Sequence, residues 1–190
     1  ERMGGCNAGE TYLLPMWWAA KHTSIDCWEK RGRKGYLFTI GDEPFLPTLT
    51  KREVKQYLGD DIPETLSAEE VLALAREQYH VFHVNIASTG AGSRSHTHRV
   101  WERFLGPHFL NLSTHTAVCE AMAAAIALTE GVMDANDLAA ELESLRFSQD
   151  TIAPVTRAIT PYVQFLKAQG QEQNQGEAQR GADPSGTHRW

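Results

Sequence analysis

Three short apolar runs limit what this chain can fold into more than anything else: "YLFTI" (36–40), "HVFHVNI" (80–86) and "HFLNL" (108–112). Each has strand length and the β-branched or aromatic content that packs well on a pleated surface. Helical patterns stand between and around them. Residues 10 to about 23 place Leu13, Leu14, Trp17 and Ala20 at three- and four-residue spacing, with Pro15 early enough to be tolerated. Two capping boxes open further helices: Thr50 with Glu53 in "TKRE", and Ser67 with Glu70 in "SAEE". "HTHRVWERFL" reads as a short helix stopped by Gly106 and Pro107, and "STGAGSRS" before it as a flexible loop. Ser113 or Thr114 can cap the alanine-rich helix "AVCEAMAAAIAL"; two more helices are expected over about 134–145 and 151–167.

Strands alternating with helices favour a parallel sheet with right-handed crossovers. The expected fold is therefore α/β: a partial, doubly wound, Rossmann-like parallel sheet of about three strands, "HVFHVNI" in the middle, helices on both faces. Residues 1–168 are expected to form this one domain. Residues 169–190, mostly Gln, Gly, Glu and Ala, offer little to bury and read as a disordered tail. A hydrophobic content of 42% in 190 residues suffices for a core without staples. The net charge of −6 argues against a general nucleic-acid binder. Three cysteines, Cys6, Cys27 and Cys119, are odd in number and scattered, as suits a reducing compartment. With no apolar run long enough to span a bilayer and no secretory signal, the expected location is cytoplasmic and off the membrane.

"GGCNAGET" (4–11) nearly spells a phosphate-binding loop. The lysine that would meet the phosphates is replaced by Glu10, and a carboxylate there repels a triphosphate. The loop makes better sense beside "TIGDEP" (39–44). In open α/β sheets ligands gather beyond the carboxyl ends of strands, where Asp42 stands. Glu10 and Thr11 open a helix. Carboxylates and a hydroxyl are the oxygens a hard cation such as Mg²⁺ selects.

At these residues the chain resembles a family. From "GGCNAGETYLLPMWWAAKHT" through "KGYLFTIGDEP" to "YHVFHVNI", within about residues 4–130, it is similar to the later two-thirds of a von Willebrand factor type A (VWA) domain of the bacterial branch. The resemblance implies a metal-ion-dependent adhesion site in which Thr11 is the second-loop threonine and Asp42 the strand-end aspartate, with Glu10 beside them. The family usually shows Thr-Asp-Gly at that strand end, where this chain has Gly41, Asp42 and Glu43. The family's Asp-x-Ser-x-Ser motif, which supplies most of the ligands, is absent from the sequence. Its strand is expected upstream or on another chain, leaving an open apolar edge beside "YLFTI". The resemblance further implies a non-enzymatic protein-interaction module that takes an acidic partner group at the metal, in a family whose bacterial members often serve AAA+ ATPases. The competing expectation is an Mg²⁺-dependent α/β hydrolase or nucleotide-handling enzyme using Asp42 and Glu43.

Other constellations carry less. His80 and His83, three apart in a strand, face opposite ways and cannot share a metal. Cys27 and Cys119 have His22 and His115 near in sequence but no third orienting group, and Cys119 is expected to be buried. Lys30, Arg31, Arg33 and Lys34 read as a solvated basic turn. Of Trp17 and Trp18, about 100° apart on a helix, one is expected in the core and the other exposed. No catalytic residue is assigned.

Overall fold

A computed structural model describes residues 9–134 and 136–181. Helix α1 (Leu13–His22) leads into a six-residue helix α2 (Asp26–Arg31), then β1 (Gly35–Gly41). A two-residue strand β2 (Thr48–Leu49), helix α3 (Lys51–Leu58), a two-residue strand β3 (Leu66–Ser67) and α4 (Ala68–Gln78) follow. Next come β4 (Tyr79–Ile86), α5 (Ser95–Leu105), a 3₁₀ turn (Gly106–His108) and β5 (Phe109–Leu112). Helices α6 (Val118–Thr129), α7 (Leu138–Ser144) and α8 (Gln149–Gly181) close the described chain. Both capping boxes form, Thr50 with Glu53 and Ser67 with Glu70, so each helix start satisfies its own free amides.

The main sheet is parallel, in the order β1-β4-β5, with "HVFHVNI" at its centre as expected. β2 and β3 form a separate antiparallel pair too short to be visible in a sequence pattern. The period-two alternation of β4 builds two cores. Phe82, Val84 and Ile86 pack with α6 and α8, whereas Tyr79 and Val81 pack with α1, α4 and α5. This is a partial Rossmann-like α/β fold with helices on both faces. Among the described residues no helix is long and apolar enough to cross a membrane.

Three features differ from the sequence expectation. The sequence predicts a disordered tail from Gln169, whereas α8 runs on as helix to Gly181; residues 182–190 lie outside the described residues. Gln169 to Gln171 are exposed, so this extension adds nothing to the core at those positions. Cys119 is exposed rather than buried. Helix α6 buries Ala121, Ala124, Ala125 and Leu128, a stripe that leaves Cys119 on the opposite side. The glycine-rich loop after β4 is pinned by side chains instead of hanging free. Trp17 is buried and Trp18 is 45% exposed, as one helix face requires.

Candidate functional site

The sheet's carboxyl end gathers two loops that are distant in sequence. The Glu10 amide donates to the Pro44 carbonyl at 2.7 Å, and the Leu46 amide donates to the Glu10 carbonyl at 3.0 Å. These bonds make an isolated parallel bridge between Glu10 and Phe45, beyond the end of β1. A Cβ added at Gly9 would press on the Pro44 carbonyl oxygen, so only glycine allows this approach. Immediately after, Tyr12 lays its hydroxyl where a Cβ of residue 41 would stand. That contact explains Gly41 physically: any side chain there displaces Tyr12.

The Tyr12 phenol reports the electrostatics of this corner. Burial pushes its pKa up to about 12, helped by the negative charges of Glu10, Asp42 and Glu43, against a hydrogen bond with the Glu43 backbone. The structure thus brings Glu10 and Asp42 to one place, with exposed Thr11 on the loop between Glu10 and Tyr12. Carboxylate and hydroxyl oxygens are the right donor chemistry for Mg²⁺, but they are few. Among the described residues, no group of three or more His, Cys, Asp or Glu side chains is arranged to hold a metal ion. Glu10, Thr11 and Asp42 can provide only part of a coordination shell.

Beneath these loops lies a polar seam that sequence reasoning missed. Thr39, His83, Asn85 and Thr97 are buried. The His83 ring stacks on Trp101 at 3.6 Å and 6°, with Tyr12 edge-on to both rings. Its Nδ1 meets Thr39 Oγ1 at 2.8 Å, while Nε2 has no partner among the described residues. Desolvation pushes the His83 pKa down to about 3, which keeps the imidazole neutral near neutral pH. Trp101 Nε1 donates to the Glu43 carbonyl at 3.0 Å, tying α5 to the loop that carries Asp42. Asn85 donates to the Gly92 carbonyl at 2.9 Å and to Asn111 Oδ1 at 2.7 Å. His98 Nε2 also meets the Gly92 carbonyl, and Thr89 Oγ1 accepts from the Gly92 amide. The polar seam therefore shapes all three loops at this end. Alternation along β4 could have pointed to His83 and Asn85 together, since both fall on the face opposite Phe82 and Val84.

The remaining sequence candidates scatter. His22 pairs with Asp60. Within the basic turn, Lys30 pairs with Asp26, Arg33 with Glu130, and Lys34 donates to the Arg76 carbonyl. β1 is an edge strand whose outward backbone groups have no main-chain partner among the described residues; Ile40 on it is 48% exposed. The fold and this corner define a partial Rossmann-like α/β protein with an acidic loop site at the carboxyl end of its sheet. Comparison with known families, with curated proteins and with solved structures gives no match.

Proposed function

We propose that this chain is a non-enzymatic protein-interaction module of VWA type, with an incomplete metal-ion-dependent adhesion site at Asp42, Thr11 and Glu10. The observation that carries this reading is the convergence of the 9–12 and 42–46 loops on one corner, where the charges of Glu10, Asp42 and Glu43 help to raise the Tyr12 pKa. Mg²⁺ held there would present an open position to an acidic partner group. The family resemblance makes an adaptor for an AAA+ ATPase the natural role, with the missing ligands supplied from outside residues 9–181.

Titration calorimetry tests the metal reading. A divalent cation gives up water reluctantly for two or three protein oxygens, so the chain alone should bind Mg²⁺ only at millimolar levels. Asp42→Ala should abolish that heat, and fusing an Asp-x-Ser-x-Ser strand should strengthen it. Tight Mg²⁺ binding by this chain, or indifference to Asp42→Ala, would remove the adhesion-site reading. Turnover of a phosphoester dependent on Asp42 and Glu43 would replace it with the hydrolase.

A further inference from the structure

A second concave surface lies on the α1, α4 and α5 side of the sheet. A cleft of ≈ 610 Å³ opens between α4 and α5, a size that suits a small organic ligand. Its lining is apolar where the two helices approach the loop after β1. Leu72 comes from α4, Val100 and Phe104 from α5, and Phe45 sets its ring 4.2 Å from that of Phe104. The charged groups on the rim are two arginines and one carboxylate. Arg76 stands on the α4 wall and Arg103 on the α5 wall, with Glu69 in the first turn of α4.

The two guanidiniums are the unexplained feature. Each sits in the last turn of its helix, where the helix dipole favours a cation. That accounts for each arginine separately, but not for both flanking one apolar cleft without a counter-ion. Among the described residues neither guanidinium has an ion-pair or side-chain hydrogen-bond partner. Glu69 is seven residues from Arg76, about 10 Å along the helix axis, too far to neutralise it. Lys34 donates to the Arg76 carbonyl and brings a third cation to the end of α4. Desolvation lowers the Arg76 pKa and no carboxylate acts against it, although a guanidinium remains charged throughout. In a chain of formal charge −6, this rim is a local reversal of sign.

We propose that the cleft binds a small amphiphilic carboxylate, its head held by Arg76 and Arg103 and its apolar body laid on Leu72, Val100 and Phe104. A carboxylate accepts two parallel N–H bonds from a guanidinium, a match that an alcohol cannot make. Leaving water for this lining stabilises the apolar body, and the head group then decides which amphiphiles bind. The inference goes beyond the adhesion-site reading and does not rest on it, since it uses neither Asp42 nor a metal.

Titration calorimetry of octanoate into the full chain in EDTA tests the proposal. Binding is expected with a Kd on the order of 0.1–1 mM. Octanol and octylammonium, with the same body and a different head, should bind at least tenfold more weakly, and inorganic phosphate should do the same. Arg76→Gln and Arg103→Gln, both at exposed positions, should keep the native circular dichroism. Each should weaken octanoate at least threefold, the pair together at least tenfold, and neither should change octanol. Ala73→Trp, exposed on the α4 wall, should fill the cleft and abolish binding with the fold intact. Octanoate bound no better than octanol would overturn the proposal, as would indifference to the double arginine variant or to Ala73→Trp. Phosphate bound as tightly as octanoate would also overturn it, by showing that charge alone is read. The Mg²⁺ titration is independent of these results, so failure here is distinct from failure of the adhesion-site reading.

Discussion

The two faces of β4 make different kinds of core from one strand. On one side Phe82, Val84 and Ile86 meet the alanines of α6 and the aliphatic stripe of α8, and most of that contact is hydrocarbon. On the other, His83 and Asn85 are buried among Tyr12, Trp101 and the turns after β1 and β4. Burying polar groups costs free energy unless they are paired, yet His83 Nε2 and Asn85 Oδ1 lack partners among the described residues. An aliphatic layer would have closed this side with less penalty. The polar seam instead fixes the loops that carry Glu10 and Asp42, so one face holds the fold together and the other also sets the site.

The largest expected effect comes from Trp101→Ala. The indole is fully buried against His83, Tyr12 and Phe45 and holds the Glu43 carbonyl. Its loss should lower stability by ~3–5 kcal/mol in denaturant titration and release the Asp42 loop, raising exposure of Tyr12. Phe82→Ala on the opposite face should cost a similar amount and leave the Tyr12 phenol titration in place. Equal disturbance of Tyr12 by both variants would break the contrast between the faces.

Acid should act next, through one histidine on each face. Burial lowers His83 from 6.5 to about 3 and, with nearby Arg76 and His80, lowers His108 to about 4. Both folded values lie below the unfolded one. The unfolded state therefore binds more protons from about pH 6.5 downward, and stability falls with pH until each folded value is passed. By pH 4 His83 alone should account for up to ~3 kcal/mol. His83→Phe keeps a ring on Trp101 and should flatten that slope, leaving the part due to His108. An unchanged slope would show that His83 is not the buried neutral group described.

Gly41→Ala should cost ~1–3 kcal/mol, because a methyl there displaces the Tyr12 hydroxyl. Adding Tyr12→Phe should recover part of the loss, and strict additivity of the two changes would refute the contact. Smallest of all, Cys119→Ser on the exposed side of α6 should change stability by less than about 0.5 kcal/mol. The wild-type thiol should react with a thiol reagent in the native state; protection until unfolding would restore the buried reading.

What the sequence revealed was what periodicity encodes. The three strands, both capping boxes and the central place of "HVFHVNI" follow from local pattern plus the crossover rule. Helix α2 escaped notice because "DCWEKR" buries no residue. Cys119 misled because a run of alanines looks equally apolar all round, and only packing chooses the buried stripe. At the site, Glu10, Thr11 and Asp42 were legible as oxygen donors beside glycine turns. Tyr12 over Gly41 and Trp101 on Glu43 were not, since they join segments about 29 and 58 residues apart through contacts with no local signature.

The proposed ligand site is the carboxyl-end corner built by the 9–12 and 42–46 loops. Backbone amide NMR during a Mg²⁺ titration tests it most directly. Progressive shifts are expected, confined to residues 9–12 and 41–46 and to the pinned loop after β4, with α6 and α8 silent and the response lost in Asp42→Ala. Shifts centred on α6 or α8, or no shift in that corner at millimolar Mg²⁺, would contradict it.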